Sequence, residues 1–340
     1  MEFTVMQPVT PSTLETTFQK MTLNNSAITC DQDLTENRTF KKLRVSITPE
    51  CNLKCLYCDS GNTLARTEAA NAFHLIPIIA NLHQSLGFSS VRITGGEPAL
   101  QKRLPEFVGR LQELEIPEIN LTTNAIFLEP MLDELKLAGL KNINISLDSL
   151  DEKVYRKITG KSGAVEVVSC IQMAIEKGFG VKINSIIMKG INENQIMPLL
   201  DFALTNNIII RFLELMRMGV ETDFHKKHFL SETEILGIIF QKYNFEEMPR
   251  KYASTSKYYK IFQQQVFGVI ANHSDPFCRD CDRLRLDHLG NIYGCLSNVE
   301  SINLCGKDAS RYPDILAQAM SLKQKNTFTG SSLSMRQIGG

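Results

Sequence analysis

"LRVSITPECNLKCLYC", residues 43–58, runs from an alternating, strand-like stretch into three cysteines spaced C-x₃-C-x₂-C. Residues 43–48 alternate as a half-buried strand does. Cys51, Cys55 and Cys58 then fall within eight positions. Three is an odd number for disulfides and one short of a closed four-ligand site. Iron-sulfur cubes normally take four thiolates. Three thiolates on one short loop hold three irons and leave the fourth open to a small chelating molecule. Structural zinc takes four protein ligands, and a lone set at this spacing suits it poorly.

Working outward, SSVRIT (89–94), EINLTT (118–123), NINISL (142–147), VKINSIIM (181–188) and IIIRFLEL (208–215) repeat the short, Ile- and Val-rich pattern. Helical patterns lie between them, over 71–88, 130–140, 163–179 and 194–207, with Gly87, Gly139 and Gly178 where helix C-terminal caps belong. This rhythm predicts an α/β fold whose six parallel strands form a closed or partial (β/α)6 TIM-like barrel. Working residues of such sheets sit past the strand carboxyl ends. Cys51, GGEP (95–98), TTN (122–124), SLDS (146–149) and ELM (214–216) all fall there.

After about residue 225 the rhythm breaks. Residues 231–244 read as a helix with Ser231 as N-cap and Glu234 completing a capping box. Two strand-like stretches follow, at 257–270 and 283–296, the second with a hairpin-like HLGN, and then a helix over 311–325. A second cysteine set, Cys278, Cys281 and Cys295, is spaced C-x₂-C-x₁₃-C. Its spacing leaves zinc and a cluster both open, with His273, His288 and Cys305 as candidates to close it. Arg283 and Arg285 alternate along one strand, while Arg44, Arg92, Lys182 and Arg211 lie in the barrel strands. Cations in apolar strands are costly unless they meet anions. Several converging on one mouth suggest a polyanion such as a triphosphate.

The balance of 37 basic and 37 acidic residues gives no bulk charge to draw nucleic acid or an anionic membrane. No apolar run approaches the ~20 residues that cross a bilayer. Nine cysteines without an export signal fit a reducing, cytoplasmic setting.

The first cysteine motif, with Tyr57 before its third cysteine and GGEP after the second strand, resembles the radical S-adenosylmethionine superfamily. The ordered series DLTENRTFKKLRVSIT, RITGGEPALQKRL, LTTNA, SLDSLDEKVYRKITG, VKIN, RFLELM, CDRLRLDHLG and SMRQIGG is similar to one family within it, the GTP 3′,8-cyclases of molybdenum cofactor biosynthesis. The resemblance implies two 4Fe-4S clusters and S-adenosylmethionine as cofactors. Cys51, Cys55 and Cys58 would hold the first cluster. Tyr57, Gly96, Ser146 and Met216 would contact S-adenosylmethionine. Cys278, Cys281 and Cys295 would hold a second cluster whose open iron takes the purine. Arg44, Arg92, Thr123, Lys182, Arg211, Arg283 and Arg285 would hold GTP, with a tail ending in Gly339 and Gly340 reaching the site. A 5′-deoxyadenosyl radical would take hydrogen from the ribose C3′, and C3′ would attack C8, giving 3′,8-cyclo-7,8-dihydro-GTP. The implied partners are GTP, a flavodoxin- or ferredoxin-like electron donor and a downstream cyclic pyranopterin monophosphate synthase, with the enzyme a homodimer.

The expected divisions are an arm over 1–38, the radical SAM partial barrel over 39–224, an α+β extension carrying the second cluster over 225–328, and a flexible tail over 329–340. Asp59-Ser60, Ser90, Ala125, Asp282 and KQKN (323–326) depart from the family's usual pattern. A cyclase relative acting on another nucleotide is one alternative. A radical enzyme that modifies a peptide is another, and a non-catalytic metal and nucleotide binder is a third.

Overall fold

A computed structural model describes residues 39–58, 72–219, 222–262, 265–324 and 326–339. The expected arm, Asp59-Ser60 and Gly340 lie outside the described residues. The strands are β1 (Lys42–Ser46), β2 (Ser90–Thr94), β3 (Glu118–Thr123), β4 (Asn142–Ser146), β5 (Gly180–Ile187) and β6 (Ile209–Glu214), then β7 (Phe245–Glu247), β8 (Lys257–Ile261), β9 (Gln265–Ile270), β10 (Arg283–Leu286), β11 (Asn291–Tyr293) and β12 (Ile302–Asn303). The helices are α1 (Leu75–Leu86), α2 (Leu104–Gln112), α3 (Leu132–Leu137), α4 (Glu152–Thr159), α5 (Ala164–Glu176) and α6 (Ile196–Thr205), then α7 (Thr222–His228), α8 (Glu232–Phe240), α9 (Tyr312–Ser321) and α10 (Met335–Ile338).

All twelve described strands join one sheet in the order β12-β11-β10-β1-β2-β3-β4-β5-β6-β9-β8-β7. The six expected strands pair in parallel, and the sheet stays open as a partial barrel. Two strands from the C-terminal part extend it in parallel: β10 beside β1 and β9 beside β6. Each then turns back antiparallel toward its edge, through β11–β12 and β8–β7. The α+β extension thus continues the barrel sheet at both ends, and residues 38–340 cluster as one unit.

Alternation divides the sheet into two faces. Leu43, Val45, Val91, Ile93, Ile119, Leu121, Ile143, Ile145, Ile183, Ile210 and Phe212 are buried in the main core. There they share the layer with helix residues such as Leu75, Ile79 and Leu82 of α1, Phe107 of α2, Ile171 of α5 and Leu199 of α6. Each fully buried Leu, Ile or Phe stabilises by about 1.5–3 kcal/mol. The intervening residues face the concave side and are mostly polar: Lys42 and Arg44, Ser90 and Arg92, Asn120 and Thr122, Asn144 and Ser146, Lys182 and Asn184.

The helix ends form as the sequence suggests. Gly87 closes α1 in the left-handed conformation, its N–H donating to His83 O at 2.7 Å. Ser231 and Glu234 form a reciprocal capping box at α8. The sequence reading treats residues 329–340 as a flexible tail; through Gly339 the chain instead docks. Ser334 and Gln337 cap α10, and Ile338 is fully buried with Met218 and Tyr293. The apolar side chains of this amphipathic turn had a cluster to complete, which the polar residues around them hide in the sequence.

Candidate functional site

The concave face encloses a cavity of about 880 Å³. Both cysteine sets line it. Cys51, Cys55 and Cys58 come from the loop after β1, Cys278 and Cys281 from the loop before β10, and Cys295 from the segment after β11. All six are free thiols and half-buried. Among the described residues no three His, Cys, Asp or Glu side chains converge to hold a single metal ion. Tetrahedral zinc needs its ligands within about 2.0–2.3 Å of one point. A cube spreads its thiolates over separate irons. Neither His273, His288 nor Cys305 lines the cavity. Cys305 is exposed and donates to Leu289 O, and the His273 ring packs against His225, Phe229 and Phe328.

The first loop is held from three sides. Lys54 N–H donates to Thr159 O at 2.9 Å and Leu56 N–H to Ile158 O at 3.0 Å, fixing it to the end of α4. The Tyr57 hydroxyl donates to Asp148 Oδ2 at 2.7 Å, and Asp148 Oδ1 accepts from Ile186 N–H at 2.8 Å. Burial pushes the Asp148 carboxyl up to about 6, against the opposing pull of these two donors. Asn124 Nδ2 donates to Asn52 Oδ1 at 2.8 Å and lies 3.9 Å from Cys51 Sγ.

GGEP braces this loop. A Cβ on Gly96 would stand 2.1 Å from Glu50 O, and Gly96 N–H donates to Thr48 O at 2.6 Å. The missing side chain therefore admits the chain of the β1 loop, while Gly96 still lines the cavity. Glu97, 1% exposed, accepts from Ala99 N–H, Thr123 Oγ1 and Asn124 N–H at 2.9, 2.6 and 2.7 Å. Its carboxylate is thus occupied in joining the β2 and β3 loops. The Thr123 hydroxyl also accepts from Ala125 N–H at 2.9 Å, so both its roles are local. Ala125, where the family pattern has glycine, takes φ +64° within this brace.

The cations form a row. Register sets Arg285 of β10 beside Arg44 of β1 and Arg44 beside Arg92 of β2. Lys182 and Arg211 face the cavity from β5 and β6, and Arg283 from β10. Nine Lys and Arg line the cavity against three acids, in a chain of zero net charge. Burial, then Arg285 and Arg92, push the Arg44 guanidinium well below its usual range. Burial, then Arg211, brings Arg92 down to about 10; burial and Arg283 do the same to Arg285. Arg92 Nη1, Arg211 Nε, Arg283 Nη2, Thr94 Oγ1 and Asn184 Oδ1 are buried on this wall without a hydrogen-bond partner. Apart from the acceptor Asn184 Oδ1, these are orphaned donors, and with like charges at such density they mark the place of an anionic ligand.

The second set stands among cations. Lys323 Nζ donates to Arg283 O at 2.7 Å and Gly294 O at 2.8 Å. Burial alone would raise the Cys281 thiol, but Arg283 and Lys323 outweigh it and bring it down to about 6. Such a thiolate is ready to bind metal.

The tail completes the walls. Arg285 Nη1 donates to Gly339 O, and Arg336 Nη2 donates to Leu53 O on the first cysteine loop. A Cβ on Gly339 would lie 2.4 Å from Thr94 Oγ1. Met216 packs with Met218, Tyr293 and Ile338 while still lining the cavity, and Ser146 lines it from the end of β4.

Residues 45–203 match the family model of the radical SAM superfamily, and residues 208–328 that of Molybdenum Cofactor Synthesis C. A GTP 3′,8-cyclase of Synechocystis sp. is 34% identical over 305 residues, 89% of this chain and 93% of the relative. The chain belongs to the GTP 3′,8-cyclase family. Relatives of the same name in Aquifex aeolicus and Helicobacter pylori are 36% and 35% identical, covering 76% and 84% of this chain and 83% and 90% of their own. The fold is that of Streptococcus suis SuiB, solved bound to precursor peptide SuiA, with TM-score 0.63 at 17% identity over 92% of this chain and 72% of that one. As a radical SAM protein of this family, the chain uses a 4Fe-4S cluster and S-adenosylmethionine. No helix among the described residues is long and apolar enough to cross a membrane.

Several cavity residues escape a reading of motifs. Asn120, Asn144 and Asn184 look like interruptions of apolar strands, yet alternation puts them on the concave face with Arg44 and Arg92. Asp148 is visible only as part of SLDS. Lys323 is visible only as the start of KQKN, 42 positions beyond Cys281, and only folding brings the two together.

Proposed function

We propose that this cavity binds GTP between two iron-sulfur clusters, each with one iron not held by cysteine. The chain is a GTP 3′,8-cyclase, acting in the first step of molybdenum cofactor biosynthesis to convert GTP to 3′,8-cyclo-7,8-dihydro-GTP. The observation supporting the reading is the placement of two three-cysteine sets on one cavity whose wall also carries the Arg285–Arg44–Arg92 row and the unpartnered Arg92 Nη1, Arg211 Nε and Arg283 Nη2.

Cys51, Cys55 and Cys58 hold the first cluster, which when bound supplies the electron that cleaves S-adenosylmethionine to its hydrogen-abstracting radical. Tyr57, Ser146 and Met216 contact S-adenosylmethionine, while Gly96 shapes the loop behind it. Arg44, Arg92, Lys182, Arg211 and Arg285 neutralise the triphosphate and fix the ribose. Charge-assisted bonds to an otherwise repelling cluster would make binding and orientation one event. Cys278, Cys281 and Cys295 hold the second cluster, beside Arg283, where the base lies. Gly339 occupies an Arg285 donor in the structure, so the tail must yield or share that guanidinium when GTP enters. Thr123 acts through Glu97 rather than by touching GTP. A flavodoxin- or ferredoxin-like donor, a homodimer and transfer of product to a cyclic pyranopterin monophosphate synthase complete the reading.

The test is anaerobic reconstitution with iron and sulfide, then reductant, S-adenosylmethionine and GTP. The expected products are 5′-deoxyadenosine and a cyclised nucleotide. Formation of 5′-deoxyadenosine with a peptide but not with GTP would overturn the substrate and favour a peptide-modifying enzyme.

A further inference from the structure

Two positions at which the sequence departs from the family's usual pattern, Ser90 and Asp282, meet at one side chain, Lys42, to which no motif assigns a role. Strand register builds a second rung beside the arginine row. Lys42 of β1 stands between Arg283 of β10 and Ser90 of β2, and two residues on, Arg44 stands between Arg285 and Arg92. All six line the cavity, as a period of two on three parallel strands requires. Five of the six are cations. Glu118 of β3 continues the Lys42 rung beyond Ser90, and its Oε1 is engaged by Asn142 Nδ2 at 3.2 Å.

Lys42 spends its charge on a partner off this wall. Its Nζ lies 2.9 Å from Asp282 Oδ2, and Asp282 is buried without lining the cavity. The pair is incomplete. Asp282 Oδ1 is buried with no hydrogen-bond partner and stands 3.8 Å from Arg283 Nη1. The Lys42 side chain is 38% exposed. Water screens a pair of this kind, so little is lost when it opens. An ammonium on a four-carbon stem turns to a new acceptor without moving its strand. Ser90, the neighbour on β2, brings no charge of its own.

We propose that Lys42 is a further polyphosphate-binding residue, whose ammonium exchanges between Asp282 Oδ2 and a phosphate oxygen of the ligand. Asp282 holds the cation in reserve and competes with the ligand for it. The identity of the ligand as GTP rests on the reading of the cavity given above; the demand for a polyanion comes from the two cationic rungs. A polyphosphate offers several charged oxygens where Asp282 offers one to Lys42, and those oxygens meet Arg44 and Arg92 at the same time.

The experiment measures equilibrium binding of GTP, inorganic triphosphate and guanosine to the reconstituted protein, with iron content as a control. Lys42→Met should weaken GTP and inorganic triphosphate about tenfold and leave guanosine within about twofold. Asp282→Asn frees the ammonium and should strengthen both anions about threefold. In the Lys42→Met background, Asp282→Asn should change neither by more than about twofold. Unchanged triphosphate affinity in Lys42→Met overturns the proposal. So does equal strengthening by Asp282→Asn with and without Lys42, which would be the removal of a nearby negative charge and nothing more. Loss of guanosine binding or of iron in Lys42→Met would make the pair a support of the fold instead. If the unaltered protein binds triphosphate, responds to Lys42→Met and yet does not bind GTP, the GTP reading falls and the role of Lys42 stands. If it binds neither, both fall.

Discussion

The two cysteine sets face one cavity from opposite electrostatic surroundings. Behind the first stand Asp148, reached through Tyr57, and Glu97; burial and then Asp148 push the Cys55 thiol well up. Around the second stand Arg283 and Lys323, which bring the Cys281 thiol down to about 6 despite its burial. The first set is also local, three cysteines in eight positions on a loop pinned to α4 and braced by Glu97. The second is assembled from the segments on either side of the β10–β11 hairpin and needs Lys323, from beyond α9, to hold it. Anionic surroundings favour a site that loses an electron toward a sulfonium cation. Cationic surroundings favour one that collects the anionic substrate. On the proposed reading, the fold would separate radical generation from substrate holding by where it places charge.

The sharpest break of this comparison is a pair of cysteine variants. Cys51→Ala should drop 5′-deoxyadenosine to background while GTP still binds. Cys278→Ala should keep 5′-deoxyadenosine formation but lose the cyclised nucleotide. Equal loss of 5′-deoxyadenosine in both variants would show that the two sets are not divided in this way. Next in size is Arg285→Ala. It removes a charged donor from the Arg285–Arg44–Arg92 row. A charged hydrogen bond contributes about 1.5–3 kcal/mol, so GTP should bind roughly 10- to 100-fold more weakly. Iron content should not change, and its loss would make Arg285 a support of the second cysteine set instead.

How much of this is written in the sequence depends on the range of each feature. β1 to β6 were legible because their Ile and Val alternate and glycine-capped helices separate them. The first cysteine set was legible because it is local. α2 was hidden by Pro105 and Gly109, which read as breakers although Pro105 sits in the first turn, where proline is tolerated. α4 was hidden by its polar run, held by Asp151 accepting from Lys153 N–H and Val154 N–H. The parallel pairing of β10 with β1 could not be read from any period, yet it adds Arg285 to the Arg44–Arg92 pair set by β1 and β2. The same distance effect hides why Gly96 lacks a side chain, because its neighbour, Glu50 O, is 46 positions away in the chain.

A smaller effect sharpens the second half of the comparison. In metal-free protein at pH 7, Cys281, lowered to about 6, is mostly thiolate, while Cys278, raised by burial to about 11, is not. A limiting alkylating reagent should therefore modify Cys281 at least about tenfold faster than Cys278, as read by peptide mass spectrometry. Lys323→Met should shrink that ratio. Equal rates in the unaltered protein would mean that the cations do not set the character of the second set.

The smallest expected effect tests the first. Asp148 is held near 6 by burial, above its ordinary 3.8. Between those values the folded state binds more protons than the unfolded chain, so the Asp148 contribution lowers stability as pH rises through that window. Asp148→Asn keeps an acceptor for Ile186 N–H and offers Tyr57 a donor, but cannot titrate. Urea midpoints of the metal-free protein from pH 4 to 7 should therefore fall less steeply with pH in the variant. Parallel curves would mean that the carboxyl behind Tyr57 is not the buried anion the geometry makes it, and the anionic character of the first cysteine set would then rest on Glu97 alone.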